Sequence, residues 1–73
     1  MEISAMNKFK GNIVSITEGA VNGIVVLDIG SGNQVSATIS MASIKELDLK
    51  VSSDAYAVIK ATSVMIGIDD RPL

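Results

Sequence analysis

The chain has 73 residues, 48% of them apolar and 19% charged, which fits one small folded domain and excludes a disordered or low-complexity segment. It contains no cysteine and no histidine, so disulfide staples, thiolate nucleophiles, zinc fingers and imidazole acid–base chemistry are excluded together. Six basic residues against eight acidic ones give a net charge of -2, which argues against nucleic-acid or anionic-membrane binding driven by electrostatics. No apolar run approaches the ~20 residues of a membrane helix. The opening Met1-Glu2-Ile3-Ser4 lacks the basic and apolar regions of a signal peptide, so a soluble cytoplasmic protein is expected.

Ile and Val outnumber Leu heavily, a bias that favours pleated sheet over helix bundle. A first strand is expected over residues 8–17, with Ile13, Val14 and Ile16 near its end. After the break Glu18-Gly19-Ala20, residues 21–29 read as a longer strand whose nearly continuous apolar character predicts burial on both faces. Gly30-Ser31-Gly32-Asn33 has the composition of a hairpin turn. In the third strand Val35, Ala37 and Ile39 alternate with Gln34, Ser36 and Thr38, the period of a half-buried strand. One helix is expected next. Ser43-Ile44-Lys45-Glu46 fits a capping box with Ser43 at the N-cap, followed by Leu47 and Leu49. Ser52-Ser53-Asp54 reads as a turn, and residues 55–60 and 63–68 read as the fourth and fifth strands.

Five strands with a single helix after the third describe an all-β, OB-like barrel, with an SH3-like barrel as the alternative. Residues 1–68 form one domain in this reading, and residues 69–73 are a frayed tail. Phe9 and Tyr56 are the only aromatics, and the abundant Ile, Val, Ala and Met exceed what one small barrel hides. A homo-oligomer is therefore expected.

The carboxylates are scattered through turns and the helix, and the one adjacent pair, Asp69-Asp70, sits in the tail, so catalysis is not expected. A nucleic-acid-binding OB surface needs a basic groove with stacking aromatics. Here Lys8 and Lys10 form the only close basic pair, and Phe9 between them points to the opposite face of a strand, where it is read as core. Two other features stand out. Ser40 and Ser43 flank the helix start, where free N–H groups and two hydroxyls suit a tetrahedral oxyanion, although on physics alone the capping role is the stronger reading. Lys60 lies in an otherwise apolar stretch, where a lysine needs a partner or a route to water.

The segment Ile3-Ser4-Ala5-Met6-Asn7-Lys8-Phe9-Lys10-Gly11 resembles the I-S-A-R-N-x-(L/F)-K-G opening of molbindins, the small molybdate-binding Mop proteins. The likeness continues through Gly19-Ala20-Val21-Asn22, Gly30-Ser31-Gly32-Asn33, Ser40-Met41-Ala42-Ser43-Ile44-Lys45-Glu46-Leu47 and Val58-Ile59-Lys60-Ala61-Thr62-Ser63-Val64-Met65. It spans nearly the whole chain. The resemblance implies an OB-like Mop or TOBE domain, assembled as a hexamer (a trimer of dimers), holding molybdate or tungstate at subunit interfaces for storage or homeostasis, with no organic cofactor. Carried over by position, the oxyanion-binding residues it implies are Ser4, Ala5, Met6, Ser40, Ser43, Lys60 and Ala61. It also implies anion sites near a threefold axis, for which no residues are assigned. At Met6 the family usually has arginine, so the charged fork of N–H donors is missing there. An oligomerisation module whose anion site has lapsed is the alternative, and a nucleic-acid binder the third reading.

Overall fold

The structure is a computed structural model, and it describes residues 7–70. The order of elements is β1 (Asn7–Thr17), β2 (Asn22–Gly30), β3 (Asn33–Ser40), α1 (Met41–Glu46), β4 (Asp54–Ile59) and a single 3-10 turn, η1 (Ala61–Ser63). The four strands form one antiparallel sheet in the order β3-β2-β1-β4.

β1 organises the sheet by dividing its partners. Its first half, Asn7 to Asn12, pairs with β4, and its second half, Asn12 to Thr17, pairs with β2. The register slips between Ile13 and Ser15, leaving Val14 as an extra residue on β1. A bulge of this kind bends the strand and raises its twist. It also resets the side-chain alternation, so that Ile13 and Ile16, three residues apart, both turn inward opposite Leu27 and Val25. Val14 and Ser15 face outward.

The core is small. Ile13, Val25, Leu27 and Ile44 are buried, with Ile16, Ile29, Ile39, Met41, Leu49, Ala55 and Ala57 packed around them. β3 and β4 alternate as half-buried strands should, Val35, Ala37 and Ile39 facing in across from Ala55, Ala57 and Ile59. β2 departs from its expected burial on both faces. Gly23, Val25 and Leu27 are buried, but Ile24 is 44% exposed and Val21 74%, because no second layer covers the outer face. Phe9, expected in the core, is 42% exposed, and among the described residues no element lies over that end of β1.

The hairpin between β2 and β3 forms where the glycines stand. Gly30, Ser31 and Gly32 all have positive φ, and the Gly30 N–H donates to Asp28 Oδ1 at 2.9 Å. The helix begins earlier than its expected start at Ser43. Ser40 is the N-cap, its hydroxyl oxygen accepting the Ser43 N–H, which makes Ser43 the third residue of the helix. α1 stops in a Schellman motif. Leu49 N–H donates to Ile44 O at 3.0 Å and Asp48 N–H to Lys45 O at 3.1 Å, with Asp48 at φ 51 and Leu49 packed on the core beside Ile44.

The expected fifth strand is not formed within the chain. Residues 63–68 leave η1 without strand pairing, with Met65 92% and Ile66 89% exposed. Past Ser63 the segment is apolar or glycine throughout, and among the described residues no strand pairs with it. The radius of gyration, 14.3 Å, exceeds the ~11 Å of a compact domain this long. Among the described residues β3 and β4 are the edges of a curled sheet, separated by a largely aliphatic cleft of about 550 Å³.

The helix rests on the sheet at a glycine. A β-carbon at Gly23 would stand 2.7 Å from Ile44 Cδ1 and 3.0 Å from both Met41 Sδ and Thr17 O. Gly23→Ala is expected to cost ~1–3 kcal/mol by overpacking. Urea unfolding at fixed protein concentration measures it, and an unchanged midpoint would show that α1 moves off the sheet freely.

Candidate functional site

Of the seven residues suggested by sequence, Ser4, Ala5 and Met6 lie outside the described residues, and Ser40, Ser43, Lys60 and Ala61 lie within them. The two serines come together. Ser40, the last residue of β3, and Ser43, in the first turn of α1, are both half-buried. The Ser40 hydroxyl donates to Ser43 Oγ at 2.9 Å and accepts the Ser43 N–H at 3.1 Å. That arrangement commits Ser40 to the cap and leaves the Ser43 hydroxyl hydrogen to donate elsewhere. The β3 end is held in place by the Met41 N–H, which donates to Val21 O at 2.8 Å, and by the pairing of Ser40 with Asn22.

Lys60 and Ala61 form a second, separate group. Lys60 follows β4 directly, in extended conformation at φ -65 and ψ 138, and opens η1. Both residues are exposed. The described residues hold one ion pair, Lys50 to Asp48 at 3.4 Å, and among them no carboxylate pairs with the exposed Lys60.

The sheet register keeps these two groups apart. Ile59, next to Lys60, pairs with Asn7 at the start of β1, whereas Ser40 pairs with Asn22, beside the β2 segment that meets Thr17 at the end of β1. Ten residue steps along a strand are roughly 30 Å, and even a right-angle bend at the bulge leaves about 20 Å between the ends. A lysine side chain does not bridge that gap. Within one chain, the hydroxyl pair and the ammonium cannot hold the same small ligand.

Sequence reasoning missed the surface around Lys60. In the β1–β4 register Lys8 faces Val58 and Lys10 faces Tyr56, so these four side chains share the outer face of the pair with Lys60 in line beyond Val58. The signal was present, since odd and even positions of paired strands can be matched once the register is known. Among the described residues no three His, Cys, Asp or Glu side chains converge on a metal-binding geometry.

Comparison with known proteins places this architecture. Residues 3–66 match the TOBE domain model. The chain is 58% identical over 69 residues to a probable molybdenum-pterin-binding protein of Haemophilus influenzae, covering 94% of this chain and all of the relative. The chain belongs to the TOBE-domain family, in its Mop (molbindin) branch. Among solved structures, this molbindin superposes on MopII from Clostridium pasteurianum in an apo form with a TM-score of 0.88 at 42% identity, over 92% of this chain and all of that one. It superposes equally, with a TM-score of 0.88 at 35% identity, on the cytoplasmic molybdate-binding protein ModG with molybdate bound. There it covers 94% of this chain and 49% of the ModG chain, so one molbindin domain spans about half of ModG.

The two serines have separable structural roles in this molbindin. Ser40→Ala removes the helix cap and should cost ~0.5–2 kcal/mol. Ser43→Ala keeps the capped N–H and should stay within about 0.5 kcal/mol of the parent. Thermal unfolding of both variants checks this, and equal losses would mean that the hydroxyl–hydroxyl contact itself stabilises the turn.

Proposed function

We propose that this molbindin binds molybdate, or the isosteric tungstate, at sites assembled between copies of the chain, as a non-catalytic store that buffers the oxyanion in the cytoplasm. The observation that carries this reading is the separation of Ser40 and Ser43 from Lys60 by the length of β1. A site that uses all three needs the serine end of one copy and the lysine end of another. The relatives support the choice of ligand. The Haemophilus influenzae protein is named for molybdenum and a pterin, and ModG is described with molybdate bound.

The chemistry of the two half-sites suits a tetrahedral dianion. Ser43 offers a hydroxyl donor at the start of α1, where the peptide dipoles favour negative charge. Lys60 offers an ammonium that is not ion-paired among the described residues. Ala61, beginning η1 beside it, contributes main chain, and Ser4, Ala5 and Met6 complete the proposed set. A pterin fits less well. Phe9 and Tyr56 are the only aromatics of the chain, and the β1–β4 register puts them on opposite faces, where they cannot sandwich a flat ring. The reading therefore includes no organic cofactor.

Assembly, most simply a hexamer built as a trimer of dimers, follows from the same unfinished fold. The cleft between the β3 and β4 edges is aliphatic, and residues 64–68 form an exposed apolar arm of strand length. The arm of a second copy would complete the fifth strand of the OB-like barrel and bury both surfaces. A second reading, an oligomerisation module with a lapsed anion site, draws on the commitment of Ser40 to its cap and on Met6 in place of arginine.

Native mass spectrometry with and without molybdate separates the two readings. The proposal expects a hexamer with bound anions in defined number, and a hexamer without any would leave only the module. Lys60→Ala should weaken molybdate binding with the oligomer intact. A charge-assisted bond is worth ~1.5–3 kcal/mol, or roughly tenfold to a hundredfold in affinity. Unchanged affinity by calorimetry would remove Lys60 from the site.

A further inference from the structure

A protein of net charge -2 repels a dianion at long range, yet its charge is not evenly spread. Among the described residues the lysines are Lys8, Lys10, Lys45, Lys50 and Lys60, and the outer face of the β1–β4 pair carries Lys8, Lys10 and Lys60. All three are exposed, and the one ion pair of the described residues, Lys50 to Asp48, lies elsewhere. Lys60 follows the last paired residue, Ile59, in extended conformation, so continuing the register sets it diagonally from Lys8 at a typical separation of ~7–8 Å. Lys10 stands a further ~7 Å along the strand. Tyr56 and Val58 occupy the positions between them and bring no opposing charge. Among the described residues the carboxylates nearest this stripe in register are Asp54 and Asp28, which flank Asn12 at the far end.

From this arrangement we infer that Lys8 and Lys10 are steering residues: they draw the oxyanion along the outer face of β1–β4 toward Lys60 without contacting it in the bound state. The inference rests on the proposed function. Its physics is that of fixed charges acting on an approaching ion. A dianion about 10 Å from each of two ammonium groups feels an attraction of order RT per lysine in water, reduced by salt within a Debye length of ~8–10 Å at physiological ionic strength. Such charges raise the association rate and scarcely alter the rate of release, because their field is felt mainly on the approach.

The test is the rate of association and of release of radiolabelled molybdate by rapid filtration, on the full-length protein at several salt concentrations. Lys8→Gln/Lys10→Gln should lower the association rate about five- to tenfold at 10 mM salt and about two- to threefold at 150 mM. The release rate should change less than twofold. Lys50→Gln, which also removes a positive charge but away from the stripe, should leave both rates near the parent values. Oligomer mass measured on each variant confirms that the assembly is intact. Saturable binding whose association rate is unaffected by the double variant, or lowered equally per charge by Lys50→Gln, overturns the steering role alone. A slowed association accompanied by an equally accelerated release would make Lys8 or Lys10 a direct ligand and overturn it too. Absence of saturable molybdate binding in the parent overturns the proposed function and this inference with it.

Discussion

The structure depends on one strand serving two partners. β1 gives its first half to β4 and its second half to β2, and the extra residue at Val14 marks the change. A regular strand would keep one face inward throughout, and Ile13 and Ile16 could not both reach the core. The bulge lets them do so, and it lets the sheet curl enough for Ile44 of α1 to close one end. The same division fixes where the functional groups lie. Whatever ends β3 is carried to one end of β1, and whatever ends β4 is carried to the other. The distance between Ser40 and Lys60 is thus a product of the pairing, not of local conformation.

The second constraint is the scarcity of core. Four side chains are buried, whereas Val64, Met65, Ile66 and Ile68 lie in the open. Burying one large aliphatic side chain contributes ~1.5–3 kcal/mol, and a domain this short hides a smaller share of its surface than a larger one. The aliphatic walls of the β3–β4 cleft and the apolar arm are therefore the largest remaining source of stabilisation. Among the described residues nothing covers either, and both edge strands present N–H and C=O groups without a strand partner beside them. In the proposed assembly a second copy supplies what is missing in the same place. Assembly, in that proposal, continues folding and draws on the same hydrophobic term.

The strands were legible because their signal is local. Val35, Ala37 and Ile39 alternate in the sequence and alternate in the sheet, and Gly30 and Gly32 stand where the hairpin needs positive φ. The helix was legible as an element but not at its start. Ser40 and Ser43 are both competent caps, and the choice between them depends on where β3 releases its pairing with β2. The bulge at Val14 had no local signature, since Ile13, Val14 and Ile16 fit a strand in either register. The fifth strand misled for a physical reason. Residues 63–68 have the β-branched, apolar composition of a strand, but composition does not say which chain provides the edge. Ser40, Ser43 and Lys60 were each singled out from their surroundings, and their placement at opposite ends of β1 emerged only from the register.

A divided site changes what affinity means. In the proposed arrangement an anion held by Ser43 of one copy and Lys60 of another belongs to neither chain, and its binding free energy is also free energy of association. A ligand that binds only the assembled state stabilises that state by RT ln(1 + [L]/Kd), about 2.7 kcal/mol at a hundred times Kd. Several such anions per assembly add their terms, so a modest affinity per site becomes a large preference for the closed oligomer. The converse also holds. Each chain presents only half the donors, so a subunit that leaves the assembly gives up its share of the ligand at once. In that proposal neutral hydroxyls and a single ammonium per site suffice, because burial of the apolar arm in the cleft would hold the half-sites together.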